Sequence, residues 1–178
     1  PEEAAFLHFL VAATGAKKVV EVGTLGGYSG IWIARALPAD GRLITLEVDE
    51  KHARVASENF EKAGVANKVE VRVGDAHQML PDLEARGPFD FVFIDANKDG
   101  YPAYLEWALS NLELGGVVAA HNAFAFGGKI INEDPIDKSV EIMRRFNQQL
   151  AQDPRLVATI FPAGDGMAVA VLTESHKS

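Results

Sequence analysis

Apolar residues in this chain come in short β-branched runs, each closed by a polar or glycine-rich break and followed by a stretch of helical spacing. Val19, Val20 and Val22 form the first run, of the kind that makes a strand covered on both faces. Gly23, Gly26 and Gly27 end it, and residues 28–37 behind them are spaced as a helix with Ile31, Ala34 and the stem of Arg35 on one side. The alternation returns in residues 42–47 (RLITLE), 69–73, 89–94 (FDFVFI) and 117–120, which read as four more strands. Helices are predicted between them: one capped by Asp49 and stopped by Gly64, one from Ala76 to a break at Gly87-Pro88, and one over 101–112, after which Gly115-Gly116 reads as a turn.

The two ends complete the pattern. Residues 3–13 place Phe6, Leu7, Leu10 and Val11 on one face of a short docking helix. Residues 136–151 form an amphipathic helix with Val140, Met143, Phe146 and Leu150 inward, and 156–161 and 167–172 are strands joined by Pro162-Ala163-Gly164-Asp165-Gly166, which is hairpin chemistry. Only residues 123–135 lack a clear period, and they read as an active-site loop. The whole predicts one α/β domain over residues 1–178, a doubly wound, seven-stranded, mostly parallel sheet with an antiparallel strand in the C-terminal hairpin. A dinucleotide fold would instead finish on a sixth parallel strand.

Ligands of open α/β sheets bind at the carboxyl ends of the strands. Here those ends carry Glu21 to Gly23, Glu47, Asp75, Asp95, and His121 with Asn122. The first turn spells G-x-x-G-G after an acidic residue, unlike the G-x-G-x-x-G of a dinucleotide site. Glu21 would repel a pyrophosphate and tolerate a cationic cofactor carrying an amino acid moiety. Glu47 lies about 20 residues past the glycines, the offset at which a carboxylate takes both ribose hydroxyls. Asp75 either accepts an adenine amine or caps the next helix, and the two roles are compatible. Asp95 with Lys98, and His121 with Asn122, are the candidates for chemistry, whether as metal ligands or as bases.

Composition narrows the partners. A net charge of −8 with no basic cluster argues against nucleic acid and anionic membranes, and leaves small molecules or a second copy. There is no cysteine, so thiolate metal sites and a cysteine nucleophile are excluded, in keeping with a cytoplasmic setting. The apolar segment 6–13 is too short to span a bilayer, so no membrane helix is expected.

Taken together, E-V-G-T-L-G-G-Y-S at 21–29, E-V-D at 47–49, G-D-A at 74–76, F-D-F-V-F-I-D-A-N-K at 89–98, L-G-G at 114–116 and the following H-N make the chain resemble the cation-dependent O-methyltransferases of the catechol and caffeoyl-CoA type, over essentially its whole length. The resemblance implies the Rossmann-like class I methyltransferase fold, S-adenosylmethionine as methyl donor, a catechol-like aromatic hydroxyl acceptor and a homodimer. It implies that Glu21, Gly23 and Ser29 line the methionine part, that Glu47 holds the ribose, and that Asp75 and Ala76 face the adenine. Asp95 would touch cofactor and metal, Asn122 would be a further metal ligand, and Lys98 the base.

Two departures stand out. The family usually has Asp-Asn where this chain has His121-Asn122, which takes a negative charge from a site for a hard cation. Either His121 joins Asp95 and Asn122 around Mg, Ca, Mn or a more borderline metal, or no metal binds and His121 is itself a base. Family members also usually carry an N-terminal helical segment, of which little is present. Two other classes stay open: an NAD(P)-dependent oxidoreductase, which Glu47 would serve equally, and a cofactor-binding protein that has lost its chemistry.

Overall fold

The computed structural model describes residues 1–131 and 137–174. Its strands are β1 (Lys18–Val22), β2 (Arg42–Glu47), β3 (Val69–Val73), β4 (Phe89–Ile94), β5 (Leu112–His121), β6 (Leu156–Phe161) and β7 (Met167–Leu172). They form one sheet in the order β3-β2-β1-β4-β5-β7-β6. The first five run parallel, and β7 enters antiparallel between β5 and β6, as the hairpin signal implied. Sheet order reverses between β1 and β4, and such a reversal opens a crevice at the strands' carboxyl ends.

The helices are α1 (Glu2–Thr14), α2 (Tyr28–Ala36), α3 (Glu50–Lys62), α4 (Ala76–Leu83), α5 (Tyr101–Asn111) and α6 (Lys138–Gln152). Strand residues alternate between faces, so Val19, Leu43, Phe91 and Phe93 meet Leu7 and Val11 of α1 and Ile33 of α2. Their neighbours Val20, Val22, Val92 and Ile94 meet the opposite layer, built from Leu80 of α4, Leu105 of α5 and Phe146 of α6. Both faces of the central strands are therefore buried, which is why they read as continuous apolar runs. Asp49 caps α3 by accepting hydrogen bonds from the backbone N–H groups of Lys51 and His52.

Three local expectations change. In α2 the inward stripe is Gly30, Ile33 and Ala34, with Ile31 half-buried against the Phe60 cluster and Arg35 exposed, because the helix begins at Tyr28 and its phase follows from there. Strand β5 begins at Leu112 rather than 117: Gly115, at φ +86°, sits where the β4/β5 register shifts, so the glycines bulge the strand instead of turning it. The predicted loop contains a 3₁₀ turn at Lys129–Ile131. Its last residues, and Ile136 at the predicted start of the following helix, lie outside the described residues.

Candidate functional site

The site begins with a close approach of two backbones. Gly23 sits at φ +102°, its N–H donates to the carbonyl oxygen of Leu46 at 3.0 Å, and the Asp95 N–H donates to that of Val22 at 2.8 Å. A Cβ on Gly23 would overlap the carbonyl oxygen of Asp95. Only glycine lets the tips of β1 and β4 come together in this way.

Beneath that turn lies Glu21, fully buried. It accepts hydrogen bonds from the Ser29 hydroxyl at 2.5 Å and the Thr45 hydroxyl at 2.6 Å, and Thr45 also pairs with Thr24. Burial pushes the Glu21 carboxyl up to about 7, against the opposing pull of those two hydroxyls. At the tip of β2, Glu47 is buried as well. Its Oε2 accepts from the Leu25 N–H at 2.7 Å and its Oε1 from the Asp49 N–H at 3.0 Å, which fixes the carboxylate in one orientation. Asp75 caps α4 by accepting from the His77 N–H at 2.9 Å.

These tips border a cavity of about 690 Å³, within the range of small-molecule sites. Gly23, Ser29, Glu47, Asp75, Ala76, Asp95 and His121 all line it. Glu21 does not reach the wall and acts from behind through Ser29, while Lys98 and Asn122 also lie outside the lining.

At the tips of β4 and β5 the polar groups bind one another. Lys98 Nζ donates to the Tyr101 hydroxyl at 2.5 Å and to the carbonyl oxygen of Ala96 at 3.3 Å, and stands 3.9 Å from Asp95 Oδ1. Burial lowers its pKa to about 8, with Asp95 and Asp165 pulling the other way. His121 lies 3.2 Å through Nδ1 from Asp95 Oδ1 and 3.0 Å through Nε2 from Glu3 Oε2. Burial works to lower the His121 pKa, but Asp95 and Glu3 outweigh it and the net shift is upward. Asn122, at φ +64°, donates from Nδ2 to Asp165 Oδ2 at 2.7 Å. Asp165 also accepts from the N–H groups of Phe126 and Gly127, pinning the start of the loop.

Comparison with known proteins agrees with this architecture. The sequence model of a family described as O-methyltransferase matches residues 1–172. The chain belongs to the O-methyltransferase family. A catechol O-methyltransferase of Niastella koreensis is 44% identical, the match covering 97% of this chain and 80% of the relative. Caffeoyl-CoA O-methyltransferase 1 of Zea mays is 37% identical over 94% of this chain and 69% of its own length. The crystal structure of the O-methyltransferase TomG from Streptomyces achromogenes, in complex with SAM, superposes with a TM-score of 0.90 at 40% identity, covering 97% of this chain and 80% of that one.

In this O-methyltransferase the expected cation ligands are Asp95, His121 and Asn122. As arranged here they do not fit a divalent cation, because both ring nitrogens of His121 face carboxylates. Among the described residues no group of three or more His, Cys, Asp or Glu side chains is placed to hold a metal ion. Likewise, among the described residues no helix is long and apolar enough to cross a membrane.

Glu3, Thr45 and Asp165 escape a reading of the sequence alone. Thr45 looks like any inward strand residue, Asp165 like a hairpin turn residue, and Glu3 like an ordinary acid in the first turn of a helix. Nothing local marks their partners, which lie 24, 43 and 118 residues away in the chain.

Proposed function

We propose that this O-methyltransferase moves a methyl group from S-adenosylmethionine to one hydroxyl of a small aromatic acceptor, with a vicinal diphenol as the favoured class. The observation that carries this reading is a single cavity walled by several carboxylates with a buried lysine directly behind Asp95. Acidic walls suit a cationic cofactor, and the donor set fits its parts. Glu47, held by Leu25 and Asp49, would accept the ribose hydroxyls. Ser29, supported by Glu21, would face the methionine portion, with Gly23 leaving the backbone open beside it. Asp75 and Ala76 would face the adenine. Bound there, S-adenosylmethionine supplies a methyl group already activated on a positively charged sulfur.

The protein's own tasks are orientation and proton removal. Lys98, just behind the wall at Asp95, would perform the second through one intervening water: the acceptor's O–H bond breaks, its proton passes by way of the water to the neutral amine at Nζ, and the electron pair stays on the oxygen that takes the methyl group. The ammonium then returns the proton to water. A pKa of about 8 keeps a working share of the amine neutral near physiological pH. Phe126, exposed in the loop whose start Asp165 pins, would cover the acceptor's aromatic ring. The catechol acceptor in the name of the Niastella koreensis relative supports the choice of a diphenol.

Isothermal titration with S-adenosylmethionine and, separately, NAD tests the cofactor, and mass spectrometry of a diphenol panel incubated with methyl-labelled S-adenosylmethionine tests the acceptor. Binding of S-adenosylmethionine alone and a labelled methyl ether are expected. Heat with NAD only, or labelled product from no diphenol, would reject the reading.

A further inference from the structure

His121 is held on both sides by acid. Asp95 Oδ1 lies 3.2 Å from Nδ1 and Glu3 Oε2 3.0 Å from Nε2, so both ring nitrogens are directed at carboxylate oxygens. Neither nitrogen is turned toward a position that a cation could take. The Asn122 amide nitrogen and two loop N–H groups converge on Asp165 beside it. Glu3 reaches the tip of β5 from the first turn of α1, whose place is set by the packing of Leu7 and Val11 into the core. Gly164 makes room for it: a Cβ there would press against the Glu3 carboxylate.

We infer that methyl transfer by this chain runs without a divalent cation, the His121 imidazolium locked between Asp95 and Glu3 taking the cation's electrostatic place. The inference rests on the methyltransferase reading of the same cavity. A positive ring against Asp95 neutralises the carboxylate that would otherwise oppose a phenolate forming beside Lys98, 3.9 Å from that carboxylate. Glu3 is a positioning residue, acting on the reaction by holding the ring in place. The substitution of His for Asp at the end of β5 and the acid at position 3 then form one device.

The test has three arms on the full chain saturated with S-adenosylmethionine. Isothermal titration with MgCl₂ and with MnCl₂ is expected to show no binding. Nitrogen-15 spectra of labelled histidine, with His121 assigned through His121→Asn, are expected to show both ring nitrogens protonated at neutral pH. Turnover of the methylated diphenol is expected to be unchanged in excess EDTA, whereas His121→Asp, which restores an acidic ligand, acquires stimulation by Mg²⁺. Glu3→Gln keeps the shape but removes the charge, and is expected to move the His121 signal toward the neutral ring and lower kcat about tenfold with the affinity for S-adenosylmethionine unchanged. Binding of Mn²⁺ by the wild-type protein, a neutral ring in its spectrum, or loss of turnover in EDTA would each overturn the inference. If no diphenol is methylated, the acceptor assignment fails, and the metal titration and ring spectrum still decide this one.

Discussion

The tips of β1 and β2 and those of β4 and β5 border one cavity yet hold their charged groups by different means. Glu21 and Glu47 are fixed by hydroxyls and backbone N–H groups from the neighbouring turns. Asp95, His121, Asn122 and Lys98 are fixed mostly by one another and by side chains from distant elements. Backbone-anchored carboxylates keep their orientation whatever binds, which suits a half that receives a constant cofactor. Side-chain networks can change with a single substitution, which suits a half that selects an acceptor and its proton chemistry.

That contrast is breached most severely at Lys98. Lys98→Met retains the apolar stem without the amine and is expected to lower kcat by about 10²–10⁴-fold while the dissociation constant of S-adenosylmethionine, read by calorimetry, stays put. Equal losses in both would merge the two halves into one.

The next effect is on stability, at the seam. Gly23→Ala places a methyl group against the Asp95 carbonyl in a backbone conformation that disfavours it, and is expected to cost about 3 kcal/mol or more. Chemical denaturation monitored by circular dichroism measures it. A neutral outcome would mean the two tips are less tightly joined than their geometry requires.

A smaller effect distinguishes the buried acid from the exposed ones. The Glu21 pKa of about 7 lies above its ordinary 4.5, so the folded chain keeps a proton that the unfolded chain has lost. Stability should therefore fall as pH rises from 4.5 to about 7 and level off above that, by at most about 3 kcal/mol, and Glu21→Gln should flatten this part of the profile. Denaturation midpoints at a series of pH values check it. An unchanged slope in the variant would assign the titration elsewhere.

The same contrast explains what could be read before any coordinates. The strand runs, the Asp49 cap, the hairpin and the order of the tips all rest on local periodicity and turn chemistry, and those expectations match the fold. The Ser29 support of Glu21 spans 8 residues, and both lie within the same short motif. By contrast, Asn122 meets Asp165 across 43 residues and His121 meets Glu3 across 118. No spacing rule reaches that far, because such pairs are made by the stacking of whole elements. The phase of α2 was missed for a smaller reason of the same kind: Ile31 and Ile33 are equally apolar, and only the presence of α3 decides which one turns to the sheet.

The close approach of the Gly23 and Asp95 backbones has a consequence for the cavity beside them. Two tips joined backbone to backbone hold the β1 and β4 sides of that cavity at one separation. Asp165, in the turn between β6 and β7, gathers Asn122, Phe126 and Gly127, so the residues that directly follow β5 are moored to the C-terminal hairpin and share its frame.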